Sequence, residues 1–160
     1  MGAFVVRVHR ASPQTPVDVG AQRAYARRMT QPAHTIAPLT VDTWDAFAGL
    51  VERHGGIFGG CWCTYFHDCP GREPGYEGSR AAKRTLVEAG VAHAALVLVD
   101  DEAIAWAEYG TPAELPNIHH RKQYDAESDA VPDFRVTCIF VDRRFRRSGY
   151  ARIALDGALD

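Results

Sequence analysis

Six residues near the end of the chain, Arg146-Arg147-Ser148-Gly149-Tyr150-Ala151, have the types and spacing of an anion site. They follow Phe134 to Val141, a β-branched and aromatic run that predicts a strand, and a helix is expected from near Gly149 to the terminus. Where a turn opens a helix, successive backbone N–H groups face outward without intrahelical partners. The helix dipole adds about half a positive charge there, so a phosphate or diphosphate is held without a dedicated cation. Gly149 lets backbone approach such a ligand closely and relieves strain in the turn. Ala151 is small enough for the helix to sit against the phosphates, and the arginines supply charge-assisted contacts. The plainer reading of Arg143-Arg144-Phe145-Arg146-Arg147 is a solvated basic turn or a nucleic-acid patch.

A second group with chemistry in it is Cys61, Cys63, His67 and Cys69, four soft ligands within nine residues. Zinc takes such ligands, but Cys-x-Cys is tighter than the usual Cys-x2-Cys and no distant second pair exists. The expectation is therefore no metal. On a strand, Cys61 and Cys63 would share one face with Trp62 on the other, as buried free thiols beside aromatics. Lining of a substrate pocket is the third reading of this segment.

The elements that must position these groups are mostly plain in the pattern. Thr35 to Leu39 reads as a strand, with Pro38 placing it near an edge or a strand end. Thr40 is a plausible N-cap for a helix in which Trp44, Phe47 and Val51 recur at helical spacing and which Gly55-Gly56 stop. Cys61 to Phe66 is a strand or a packed loop, and Asp68 to Gly78 is irregular. Ser79 can cap a second helix to about Glu88, ended by Gly90. Ala94 to Val99 and Ala103 to Tyr109 flank Asp100-Asp101-Glu102 as a hairpin. Thr111 to Pro132 is a long polar connection with helical turns around Ile118 to Glu127. The order β-α-α-β-β-β-α makes the fold α+β, or mixed α/β.

Composition bounds the rest. The chain has 160 residues, enough for one domain. Residues before Met29 carry five arginines against Asp18, a net +4, so the overall −2 leaves −6 on the remainder. An acidic body argues against broad nucleic-acid binding. No apolar run reaches membrane-spanning length and no secretory h-region follows the early arginines, so no membrane is implied and cytoplasmic is the default. Pro13, Pro16 and Gly20 break up the first residues. We read 1–33 as a flexible extension, with Met29 as a conceivable true start and an Arg-rich targeting peptide as the sharper alternative.

Arg146-Arg147-Ser148-Gly149-Tyr150-Ala151 reads R-x-x-G-x-A after a strand ending in Val, and this resembles the acetyl-CoA signature of the GNAT N-acetyltransferases. Gly59-Gly60-Cys61-Trp62-Cys63, Leu115 to Lys122 and Arg135-Val136-Thr137-Cys138 are similar to stretches of a bacterial GNAT subgroup of undefined acceptor. The resemblance runs from about His34 to Asp160. It implies the GNAT acyl-CoA N-acyltransferase fold over 34–160, a central mostly antiparallel sheet flanked by helices, with acetyl-CoA as co-substrate. It further implies direct attack by the amine of a small molecule or protein in a ternary complex.

The strand before the motif would pair Cys138 to Val141 with the pantetheine arm, Ile139 or Phe140 would polarise the thioester through a backbone N–H, and Arg146 to Ala151 would hold the pyrophosphate. Some members place a Glu where this chain has Arg135. The base is therefore sought in Glu108, acting directly or through water, and then in His120; the plainer reading leaves both as exposed, unpartnered residues. The family's remaining strands would follow the motif helix, and with them the leaving-group tyrosine. On the resemblance, C-terminal strands are missing, Phe134 to Val141 is left as a long sheet edge, and the chain is poorly stable with little activity. Micromolar acetyl-CoA affinity in calorimetry would refute that expectation. A non-catalytic acyl-CoA-binding or regulatory module and a zinc-dependent interaction domain are the readings from other classes.

Overall fold

A computed structural model describes the backbone of residues 6–8 together with residues 31–128 and 130–160. Five strands form one sheet: β1 (Val6–Val8), β2 (Thr35–Pro38), β3 (His93–Val99), β4 (Glu102–Gly110) and β5 (Phe134–Val141). Their spatial order is β1-β5-β4-β3-β2 and every pairing is antiparallel. Four helices accompany them: α1 (Trp44–Arg53), α2 (Gly75–Glu88), α3 (Arg121–Glu127) and α4 (Tyr150–Leu159). This is the mixed α/β architecture, an antiparallel sheet with helices beside it, that the order of elements implies.

Each face of the sheet has its own core. On one, Leu96, Trp106 and Cys138 pack with Trp44, Phe47 and Leu50 of α1 and with Trp62. On the other, Val97, Ile104, Ala107 and Val136 pack with Tyr150 and Ala154 of α4. Gly157 brings α4 close to the edge strand β2, since a Cβ there would lie 2.7 Å from Ile36. Trp44, Phe47, Trp62, Trp106 and Phe140 make a continuous stack of rings from α1 to β5, with centroids 5.0–6.3 Å apart. Such contacts add to the area the rings bury.

Three expectations change. β1 pairs antiparallel with β5 through Val6↔Val136, Arg7↔Arg135 and Val8↔Phe134, so β5 is not bare along its whole edge, and a strand lies inside the stretch read as an extension. The remainder of 1–30, Met29 included, lies outside the described residues. Helix α1 begins at Trp44 with Thr43, not Thr40, at the cap position; the Thr43 hydroxyl accepts from Thr40 N–H at 2.8 Å. Helix α2 begins at Gly75, which leaves Ser79 buried inside it rather than capping it. Of the two readings of Cys61 to Phe66, strand or packed loop, the loop is the one formed. Trp62 and Cys63 both have left-handed backbone (φ 51° and 50°), which breaks the expected alternation.

Two register shifts interrupt the ladders. In the β4–β5 pair, Glu108 faces Cys138 and Tyr109 faces Val136, so Thr137 is an extra residue in β5. Thr137 and Cys138 consequently both reach the α1 side of the sheet. In the β3–β4 pair the shift between Val97 and Leu98 puts Ile104 and Ala105 together on the α4 side.

Candidate functional site

From Asp142 to Gly149 the chain turns from β5 into α4. Asp142 fixes the start: its N–H donates to the Ile104 carbonyl, and its carboxylate accepts from Arg144 N–H at 2.9 Å and from the Arg144 guanidinium at 2.8 Å. His54 Nε2, at the end of α1, lies 3.4 Å from the same carboxylate. Burial alone would raise this carboxyl's pKa, but the bonds from Arg144 hold it well below the usual range. Asp142 also caps the short 3-10 turn Arg143–Phe145. Asp142→Ala is expected to cost about 1 kcal/mol from the cap alone, read by urea unfolding, and to speed exchange of the Arg144 amide.

Beyond this anchor the backbone alternates in hand: Arg146 is extended, Arg147 has φ 62°, and Gly149 has φ 85° at the cap of α4. Among the described residues, the amides of Arg146, Arg147, Ser148, Gly149, Tyr150 and Ala151 have no hydrogen-bond acceptor. Arg146, Arg147 and Ala151 are exposed, and neither arginine has an ion-pair partner among the described residues. The Ser148 carbonyl accepts from the Gln31 side chain. Tyr150 differs from its neighbours: its ring is 1% exposed within the α4-side core, edge-on to Phe145, so only its amide is open to a ligand.

Upstream, no strand among the described residues pairs with the outer edge of Thr137 to Val141. Ile139 is 37% exposed. Phe140 instead turns inward, its ring stacked on Trp106 at 5.0 Å and edge-on to His54. Among the described residues, an unpaired strand edge therefore leads directly into a run of amides without acceptors.

Glu108 is not the exposed strand residue of the plainer reading. It is fully buried, with Oε1 2.5 Å from Lys83 Nζ and 3.3 Å from His67 Nε2, and Oε2 accepting from the Thr137 hydroxyl at 2.8 Å. Burial would raise this carboxyl, but the Lys83 charge and the His67 bond hold it below the usual range. Burial would likewise lower Lys83, and the Glu108 charge overrides it and raises the ammonium. His67 Nδ1 lies 3.0 Å from the Glu114 carbonyl, and its Nε2 faces Lys83 Nζ at 3.3 Å. Every oxygen of Glu108 thus has a protein partner.

His120, by contrast, is exposed at the N-terminus of α3 with φ 54°. Its neighbour His119 stacks on Tyr65 at 4.2 Å. Arg135 is buried and donates to the Leu115 carbonyl at 2.6 Å.

The cysteine cluster disperses. Cys63 Sγ lies 3.0 Å from Cys138 Sγ across the sheet, both thiols free, while His67 is engaged as above. Among the described residues no three His, Cys, Asp or Glu side chains are placed to share a metal ion. The contact with Cys138, together with burial, pushes the Cys63 thiol up, which makes it a poor nucleophile. Alkylation with iodoacetamide at neutral pH is expected to label Cys61 and Cys69, both partly exposed, well before Cys63 and Cys138. Peptide mass spectrometry over a time course would check this, and equal labelling of all four would contradict the packing.

Lys83 is the site residue that sequence reasoning missed, and His67, singled out beside the cysteines, is instead a partner of Glu108. A signal was there: Ser79, Lys83 and Val87 share the buried face of α2, so a lysine sits on an apolar stripe. Glu108 has the same strand parity as Trp106, which points into the core.

No protein-family model matches the chain, and no curated protein does. The structure is similar to that of a ribosomal-protein-alanine N-acetyltransferase from Brucella melitensis biovar Abortus 2308, at 19% identity and a TM-score of 0.46. The match covers 80% of this chain and 71% of that one. Among the described residues no helix is long and apolar enough to cross a membrane.

Proposed function

We propose that this chain is a GNAT-type N-acetyltransferase, moving an acetyl group from acetyl-CoA to an amine by direct attack. One observation carries the reading: among the described residues, an unpaired strand edge, Thr137 to Val141, runs into six amides without acceptors at the start of α4. Acetyl-CoA carries a diphosphate, an amide-bearing arm and a thioester, and these residues offer a partner for each. The amides of Arg146 to Ala151, with the exposed Arg146 and Arg147 side chains, hold the diphosphate. The free edge of β5 accepts the arm as an added strand would be accepted, and a backbone N–H at Ile139 or Phe140 stabilises the oxyanion.

Attack needs the amine in its neutral form. His120, open to solvent, is the candidate to take that proton. Glu108, closed in by Lys83, His67 and Thr137, acts as a positioning residue that holds the β5 bulge in shape. The same closure, with Arg135 where an acid would serve, favours a second reading: a module that binds acyl-CoA without transferring the acyl group.

Titrating the labelled protein with acetyl-CoA tests both. Amide resonances of Arg146 to Ala151 are expected to move first and saturably. If they stay still while others shift, the acyl-CoA assignment falls. Release of free CoA thiol with a panel of amines, lost in His120→Ala, separates transferase from binding module.

A further inference from the structure

Two loops far apart in sequence, Thr64 to Arg72 and Asn117 to Arg121, line one cleft. Asn117 ties the two loops together: its N–H donates to the Phe66 carbonyl, and its side-chain amide donates to the carbonyls of Tyr65 and His67 at 3.1 and 2.9 Å. Arg135 holds the Leu115 carbonyl, and Cys138 meets Cys63. These ties shape a cavity of about 480 Å³ whose wall includes Tyr65, His67, Asp68, Arg72, Asn117 and Arg121. His67 in that wall contacts Glu108, which accepts from Thr137 on β5, so the cleft is joined through two contacts to the strand that carries the free edge.

Two of the lining charges stand out. The Arg72 guanidinium donates to two hydroxyls, Thr64 Oγ1 at 3.1 Å and Ser79 Oγ at 2.9 Å, and to no carboxylate among the described residues. Asp68, four residues earlier on the same loop, has no cationic partner among them either. The two opposite charges line one cavity without neutralising each other. Arg121, at the rim, is partly engaged by Asp125 at 3.6 Å and by the Pro116 carbonyl. A guanidinium fixed by neutral partners keeps its remaining N–H groups for a planar anion, and a carboxylate is the shape it fits.

We infer that this cleft binds a small zwitterion, an amino acid with a free carboxylate held by Arg72 and an amino group held by Asp68. If the transfer reading above is right, this is the acceptor's seat; the binding itself does not depend on that reading. Size agrees, since an open cleft of this volume admits a small molecule rather than a folded partner.

Calorimetry and amide chemical shifts on the intact chain, with the common amino acids and β-alanine as probes, test the inference. At least one free amino acid should bind saturably and move the Asp68, Arg72 and Asn117 side-chain and backbone resonances. Converting its carboxylate to the amide, or acetylating its amine, should weaken binding about tenfold or more. Arg72→Gln should reproduce the amide's loss and Asp68→Asn the acetylated ligand's, while Arg72→Lys should recover only part of the binding. The ligand comparison uses the native chain, so it stands even if Arg72→Gln disturbs the loop. No saturable binding by any probe, or equal binding of acid and amide, overturns the inference. Binding without acetyl transfer would leave the cleft intact and count against the transferase reading alone. Transfer to amines lacking a carboxylate, indifferent to Arg72, would do the reverse.

Discussion

Lys83→Met should lower unfolding free energy by about 3–5 kcal/mol, because it leaves the Glu108 carboxylate buried without its cation. Lys83 and Glu108 are both almost wholly enclosed, so neither charge can be rescued by solvent. Pairing Lys83→Met with Glu108→Leu should restore most of that loss, since a buried ion pair exchanged for apolar groups of similar volume is often close to neutral. Urea unfolding of the three proteins reads the comparison, and the double variant keeps it readable if the single one does not fold. A single variant as stable as the parent would mean that the pair is hydrated in solution. Acidity gives an independent check. Glu108 is depressed, so its contribution is complete above the ordinary carboxylate value of 4.5 and is lost as pH falls through its folded value. Lys83 is raised, so its contribution is complete below 10.5 and is lost as pH rises through its folded value. The double variant should be flatter at both ends.

Gly149→Val should weaken acetyl-CoA binding at least about tenfold, through the backbone and not through any lost side chain. At φ 85° a β-branched residue is strongly disfavoured, and relief of that strain turns the amides on either side of position 149 away from their present directions. Gly149→Ala should fall between the two. Arg146→Ala and Arg147→Ala should each cost less, and their effect should fade with added salt, because these exposed cations act through a screened charge. Calorimetric titrations at two salt concentrations separate the backbone effect from the charge effect. Undiminished affinity in Gly149→Val would remove the anion loop from the binding of acetyl-CoA.

Much of the scaffold was legible because it obeys simple periods. Helix α1 was visible in Trp44, Phe47 and Val51, the β3–β4 hairpin in two apolar runs around Asp100-Asp101, and β5 in its β-branched and aromatic content. The anion loop was legible for a related reason: a strand, a Gly-containing turn and a helix are all local. What stayed hidden is non-local or breaks a period. Lys83 and Glu108 are 25 residues apart and become partners only through the packing of α2 on the sheet. The left-handed conformations of Trp62 and Cys63 are bought by tertiary packing, since nothing about a tryptophan favours that region. Val6–Val8 was passed over because three residues give no pattern to read. The extra residue at Thr137 gives no sign of itself either, and strict alternation from Val136 would have put Phe140 on the wrong face.

That extra residue bears on how the chain behaves at high concentration. An edge strand with open donors and acceptors is a template on which a second chain can lay a strand of its own and start an aggregate. On β5, β1 occupies the edge as far as Val136, and the kink begins at the next residue. Among the described residues nothing pairs with Thr137 to Val141, a short stretch beside the bulge, so it offers a flexible linear ligand a few bonds while denying a straight foreign strand a long, flat register.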